Sequence, residues 1–118
     1  MTELSFFIPG RPVPKSRARA GAGGRFFTPK RTREYEELVA WTARTQPFAL
    51  GSGPVALRIV LKSSSALKGD IDNYAKAILD GMVKGQMMVD DSQVYSLSVQ
   101  FVIGCELADE GAQVFIEA

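Results

Sequence analysis

Val55-Ala56-Leu57-Arg58-Ile59-Val60-Leu61-Lys62 is followed, after a polar connection at 63–69, by Asp70-Ile71-Asp72-Asn73-Tyr74-Ala75-Lys76-Ala77-Ile78-Leu79-Asp80-Gly81-Met82-Val83. The period of the apolar residues changes between the two. Val55, Leu57, Ile59 and Leu61 alternate with Ala56, Arg58, Val60 and Lys62, the pattern of a strand. Ile71, Ala75, Ile78, Leu79 and Met82 recur at helical spacing, so residues 72–83 read as an amphipathic helix. Gly85 lies just past its end, where a glycine is favoured. A strand followed directly by a helix sets the framework for the rest of the chain.

Working outward, residues 4–8 read as a first strand, stopped by Pro9 and Gly10. Residues 32–45 form a second helix, with Tyr35, Leu38, Val39 and Thr42 on its apolar side. Residues 46–54 hold Pro47, Gly51, Gly53 and Pro54 and read as a loop. Beyond Asp91, residues 94–103 alternate again, with Tyr95, Leu97, Val99, Phe101 and Ile103 on one face. Residues 112–117 make a last strand, and the polar loop before it suggests a hairpin with 94–103. The element order is β-α-β-α-β-β. It predicts one small α+β domain over 1–118, a mixed sheet with two main helices.

Composition narrows the chemistry. The 118 residues include no histidine and one cysteine, Cys105. That excludes histidine general-base catalysis, histidine-ligated zinc, a cysteine zinc cluster and an intrachain disulfide. Cys105 reads as a passive thiol with no histidine to activate it. No apolar run is long enough to span a bilayer, and no basic-then-apolar leader opens the chain; the expectation is a cytoplasmic protein. The net charge of +1 hides an asymmetry. Between positions 11 and 33 stand Arg11, Lys15, Arg17, Arg19, Arg25, Lys30, Arg31 and Arg33, eight of the fourteen basic residues, with no acid among them. Such a basic arm, partly flexible around the Gly/Ala-rich 18–24, suits a polyanion such as DNA.

Asp70 and Asp72 flank Ile71. In an extended chain ahead of a helix, residues i and i+2 share a face, which places two carboxylates together. Like charges that close repel. A divalent cation relieves the repulsion, and carboxylate oxygens are the hard ligands Mg²⁺ takes, with Mn²⁺ as a substitute. Asp72 also suits the helix N-cap, so a purely structural role for the pair stays open. Lys76 is one turn after Asp72 and can face the same site. Asp80, another turn on, either holds Lys76 or is a solvated helix residue. The segment is not an EF-hand loop, because Ala75 and Gly81 stand where Gly and Glu are needed. Nor does Gly21-Ala22-Gly23-Gly24 make a P-loop. Phe26, Phe27, Trp41 and Tyr74 could stack on an opened base or belong to the core.

Asp70-Ile71-Asp72-Asn73, then Lys76, then Val89-Asp90-Asp91-Ser92-Gln93-Val94 resembles the signature of the RusA family of crossover junction endodeoxyribonucleases, common in phage and prophage. Ile8-Pro9-Gly10-Arg11-Pro12-Val13-Pro14-Lys15 and the stretch from Thr28-Pro29-Lys30 to Tyr35-Glu36 are similar to the family's N-terminal half. The resemblance implies a homodimer that resolves four-way (Holliday) junctions by paired symmetric nicks, in DNA recombination and repair, in the cytoplasm of a bacterium or from a phage gene. It implies Asp70, Asp72 and Asp91 as metal ligands, with Asp90 as neighbour or alternate ligand, and Lys76 as the catalytic lysine. DNA contacts are expected from Arg11, Lys15, Arg17, Arg19, Arg25, Lys30, Arg31 and Lys76. Met82, Met87 and Met88, or an exposed strand edge, are candidate dimer surfaces. A less selective branched-DNA nuclease and a non-enzymatic junction-binding protein are the alternatives.

Overall fold

The computed structural model describes residues 3–16, 19–20, 26–27 and 29–118, with the backbone alone described at 19–20 and 26–27. The elements are β1 (Glu3–Pro9), β2 (Arg19–Ala20), β3 (Phe26–Phe27), α1 (Lys30–Arg44), β4 (Val55–Ser63), α2 (Ile71–Lys84), β5 (Val94–Ile103) and β6 (Gly111–Glu117). Single 3-10 turns cover Asp91–Gln93 and Leu107–Asp109. The expected order of main elements holds, and the class is α+β. The short antiparallel β2–β3 pair within the basic arm was not expected.

The sheet order is β1-β6-β4-β5. β6 is antiparallel to both β1 and β4, and β5 is parallel to β4. The expected hairpin between 94–103 and 112–117 is therefore wrong. The reason lies in β4, where Val55, Leu57, Ile59, Val60, Leu61 and Ser63 are all buried. A strand that deep needs hydrogen-bond partners on both edges. β5 pairs one edge and β6 the other, so the chain must cross β4 between them. It does so after Gly104, at φ +106, where the Gly104 and Cys105 amides both donate to the Ser63 carbonyl, at 2.8 and 3.3 Å.

Both helices pack on one sheet face. Tyr35, Val39 and Ala43 of α1 and Ala75, Ile78 and Met82 of α2 share a core with Phe6, Ile8, Leu57, Ile59, Leu61 and Val114. Two glycines set the spacing of the helices. A Cβ at Gly81 would lie 2.5 Å from Val39 Cβ, and one at Gly85 would lie 2.5 Å from the Ala40 carbonyl oxygen. Gly85 has φ −80, so it is not a left-handed cap; Gln86, at φ 63, takes that conformation. Close approach, not turn geometry, selects glycine at 85.

Met82, Met87 and Met88 are at most 2% exposed and fill the core, which removes them as a dimer surface. Tyr74 is buried as well, edge-on to Phe101 with ring centroids 5.4 Å apart, its hydroxyl donating to the Lys68 carbonyl. Trp41 is exposed; the side chains of Phe26 and Phe27 lie outside the described residues. The sharpest departure is β5. As an edge strand that α2 covers only in part, it leaves Tyr95, Leu97, Val102 and Ile103 exposed. Ile71, expected on the buried helix face, is 37% exposed at the same margin.

Candidate active site

α2 begins at Ile71, one residue earlier than expected. Asp70 occupies the N-cap position in extended conformation, φ −79 and ψ 139, without a side-chain capping bond. Asp72 is therefore in the first turn and caps nothing, although its charge suits the positive end of the helix dipole. Both carboxylates are exposed. Among the described residues neither enters an ion pair. The capping alternative does not account for them.

Lys76 connects them to the second half of the motif. Its Nζ lies 3.3 Å from Asp91 Oδ2, a contact across fifteen positions of sequence. Lys76 is about half exposed, so by itself such a pair adds at most about 1 kcal/mol to stability. Its importance is positional, since it brings Asp91 to the α2 face that carries Asp72.

The turn bearing Asp91 is held by Gln93. Its Oε1 accepts from the Val89 and Asp90 amides, at 2.6 and 2.8 Å. Its Nε2 donates to the Gly51 and Gly53 carbonyls, at 2.8 and 2.9 Å. One side chain thus ties the turn to the loop ahead of β4. Sequence reading treated Gln93 only as part of a signature; nothing in the pattern disclosed that it closes on a glycine-rich loop forty residues upstream. Asp90 accepts from the Ser92 hydroxyl, which holds its carboxyl below the usual carboxylate range.

Beside these groups an open groove of about 670 Å³ runs between α2 and β5. Lys15, Asp72 and Lys76 line it, with Ile71, Ala75, Leu79, Leu97 and Val99 as an apolar wall. All the candidate metal donors are oxygens, a set that fits a hard divalent cation. Among the described residues, however, no three such side chains converge into a ready ligand cage.

The basic residues divide. Arg11 donates to Glu110, at 2.8 Å, and to the Ala66 carbonyl, at 3.0 Å. Glu110 is buried and also accepts from the Ser64 amide and hydroxyl, both at 2.9 Å. These bonds, the Ser64 amide first, hold its carboxyl below the usual range. The charge of Arg11 is thus largely engaged within the fold. Lys15 sits at the groove against Asp80 and Glu36. Lys30 is exposed and 3.7 Å from Glu34. Arg31 lines a second recess, of about 380 Å³, with Arg11, Tyr74 and Lys68, a cation that the basic-arm reading did not include. Arg17 and Arg25 lie outside the described residues, as does the side chain of Arg19.

Two comparisons with known proteins bear on this site. Residues 9–117 match the family model described as Endodeoxyribonuclease RusA. The chain is also similar to a protein of Aquifex aeolicus (strain VF5) named Crossover junction endodeoxyribonuclease RusA, 30% identical over 99 residues, which span 82% of this chain and 79% of that protein.

Proposed function

The chain belongs to the RusA family of endodeoxyribonucleases and is a nuclease, and from that premise we propose that it resolves four-way DNA junctions by paired symmetric nicks, as a divalent-metal-dependent homodimer. The observation that carries this reading is the contact between Lys76 and Asp91, which joins the two distant parts of the acidic motif beside a groove.

In this reading Asp70, Asp72 and Asp91 hold Mg²⁺, or Mn²⁺ in its place, with Asp90 as neighbour. Bound there, the cation supplies Lewis acidity toward the phosphate and lowers the pKa of an attacking water. Lys76 faces the same phosphate and offsets the charge that grows on it in the transition state. Lys15, Lys30 and Arg31, with Arg17, Arg19 and Arg25 of the basic arm, grip neighbouring phosphates. Arg11 contributes to that grip mainly by fixing the start of the arm against Glu110. Phosphate contacts position DNA without reading its sequence, so junction selectivity falls to shape and to two sites related by symmetry.

The exposed β5 supports a second copy as partner. It is an edge strand with Tyr95, Leu97, Val102 and Ile103 in the open, the kind of edge that proteins usually cover. No helix among the described residues is long and apolar enough to cross a membrane. The reading places residues 1–118, as one endonuclease domain, in the cytoplasm with its DNA.

The test is cleavage of a labelled synthetic four-way junction with and without Mg²⁺, comparing wild type with Asp70→Asn. Paired nicks by the wild type, absent in a variant that still binds the junction, are the expected result. Junction binding without cleavage in either Mg²⁺ or Mn²⁺ would sink the resolvase reading. Equal rates on forks and flaps would replace it with a less selective branched-DNA nuclease.

A further inference from the structure

One carboxylate beside the groove is not explained by metal binding. Asp80 stands one turn beyond Lys76 on α2, and its two oxygens are divided between two lysines. Oδ1 lies 3.8 Å from Lys76 Nζ, and Oδ2 accepts a hydrogen bond from Lys15 Nζ. Lys15 in turn lies 3.6 Å from Glu36 Oε2 of α1, a buried oxygen with no hydrogen-bond partner. The Lys15 backbone is pinned as well, its amide donating to the Asn73 carbonyl at 2.9 Å. The charges run Glu36, Lys15, Asp80, Lys76, Asp91, alternating in sign from α1 to the acidic motif.

The alternation gives Asp80 a function. Lys76 is shared between Asp91 and Asp80, and the Asp80 side chain is the less exposed of the two, 24% against 39%. Less exposed pairs are less screened by water and salt. Any cation taken up by Asp91 competes with Lys76 for that carboxylate and repels the ammonium. Asp80 is then the partner that remains. It leaves Lys76 beside the groove instead of free in solvent, and it holds Lys15 next to it. Both lysines line the groove with Asp72.

We propose that Asp80 is a positioning residue that tethers Lys76 and Lys15 side by side, so that two cations, not one, face a phosphodiester entering the groove. This rests on the nuclease site described above and goes beyond it by assigning a role to Asp80 and by setting Lys15 beside Lys76. The Lys15 ammonium is held above its ordinary pKa, chiefly by the Asp80 hydrogen bond.

A double-mutant cycle tests it. Single-turnover junction cleavage is measured for wild type, Asp80→Asn, Lys76→Ala and the double variant. Asp80→Asn is expected to slow cleavage about tenfold, while junction binding without divalent cation changes by less than about twofold. In the Lys76→Ala background the same substitution should cost less, about threefold or below, because only Lys15 is left for it to position. An equal loss in both backgrounds, or no loss in the first, overturns the proposal. A second readout needs no cleavage: modification by acetic anhydride, followed at each lysine by mass spectrometry. Lys76 and Lys15 should react at least about twice as fast in Asp80→Asn, with Lys62 and Lys84 unchanged as internal controls. Unchanged reactivity at Lys76 overturns the tether even if the wild type proves to cut no junction. A wild type without cleavage whose lysines respond as expected refutes the resolvase reading and leaves the tether standing.

Discussion

The two halves of the acidic motif are built differently. The turn at 89–93 is over-determined: four hydrogen bonds from one glutamine fix its backbone, and the Ser92 hydroxyl fixes Asp90. The start of α2 is the reverse. Asp70 and Asp72 project into solvent with no ion pair among the described residues, and only the backbone of the first turn sets their direction. One half is organised by the protein before any ligand arrives. The other is organised by whatever cation draws its carboxylates together. This difference explains how a site can carry three acidic residues without a ready cage.

The largest expected effect follows from the loose half. Asp70→Asn and Asp72→Asn should each lower cleavage by on the order of 10²–10³-fold, the loss typical of removing a group that acts on transition-state charge. Neither should lower Tm by more than about two degrees, because among the described residues neither side chain makes a hydrogen bond or ion pair. A fall in Tm of several degrees in either variant would show that the half is structural after all. Thermal denaturation alongside the cleavage assay decides it.

The clamped half should behave oppositely. Gln93→Ala removes four hydrogen bonds at once, two accepted by Oε1 and two donated by Nε2, and should cost about 1–3 kcal/mol of stability, the usual range for groups left without partners. Cleavage should fall about tenfold through misplacement of Asp91. Urea denaturation and single-turnover rates measure the two losses; a rate loss without a stability loss would mean that Gln93 touches the reaction directly.

Mg²⁺ sharpens the contrast further. A ligand that binds only the folded state raises Tm, by an amount equivalent to about 2.7 kcal/mol at a hundred times its Kd. The wild type should gain Tm with Mg²⁺, the Asp70→Asn/Asp72→Asn variant should not, and Gln93→Ala should gain most of the wild-type increment from its lower baseline. Equal gains in wild type and the double-Asn variant would move the cation site elsewhere.

The smallest effect concerns a carboxylate clamped away from the site. Glu110 is held below the usual carboxylate range by Ser64 and then Arg11. A depressed folded-state pKa stabilises the fold above the unfolded-state pKa, and that stabilisation is lost as pH falls through the depressed value. Tm should therefore drop between about pH 5 and pH 3, and Glu110→Gln should flatten that drop while lowering Tm at neutral pH.

Local patterns carried much of this molecule. The alternation in 55–62 and the helical spacing in 71–82 were legible because strand and helix periods are properties of neighbouring residues. The same holds for the motif at 70–76, where spacing suggested that two carboxylates and a lysine share a face; Asp90 and Asp91 joined it through the resemblance to the RusA family. The hairpin reading failed because strand neighbours are chosen by burial of the whole sheet, and β4 needed a partner on each edge. Ile71, Leu97 and Ile103 have the residue types and spacing of a core, yet lie open because β5 is an edge strand that α2 covers only in part. Gly81 and Gly85 look like helix breakers until Val39 and Ala40 are placed against them.

The amino-acid sequence by itself determined the main elements, the pairing of Asp70 and Asp72 with Lys76, and the absence of histidine chemistry, because each depends on residue type and short-range spacing. Only the tertiary structure decided that Lys76 meets Asp91, that Gln93 locks the turn to residues 51–53, that Arg11 is spent on Glu110, and that Asp80 stands between two lysines. Those contacts join residues separated by up to 99 positions. Which distant groups meet is set by the packing of helices on the sheet, and no local period encodes it.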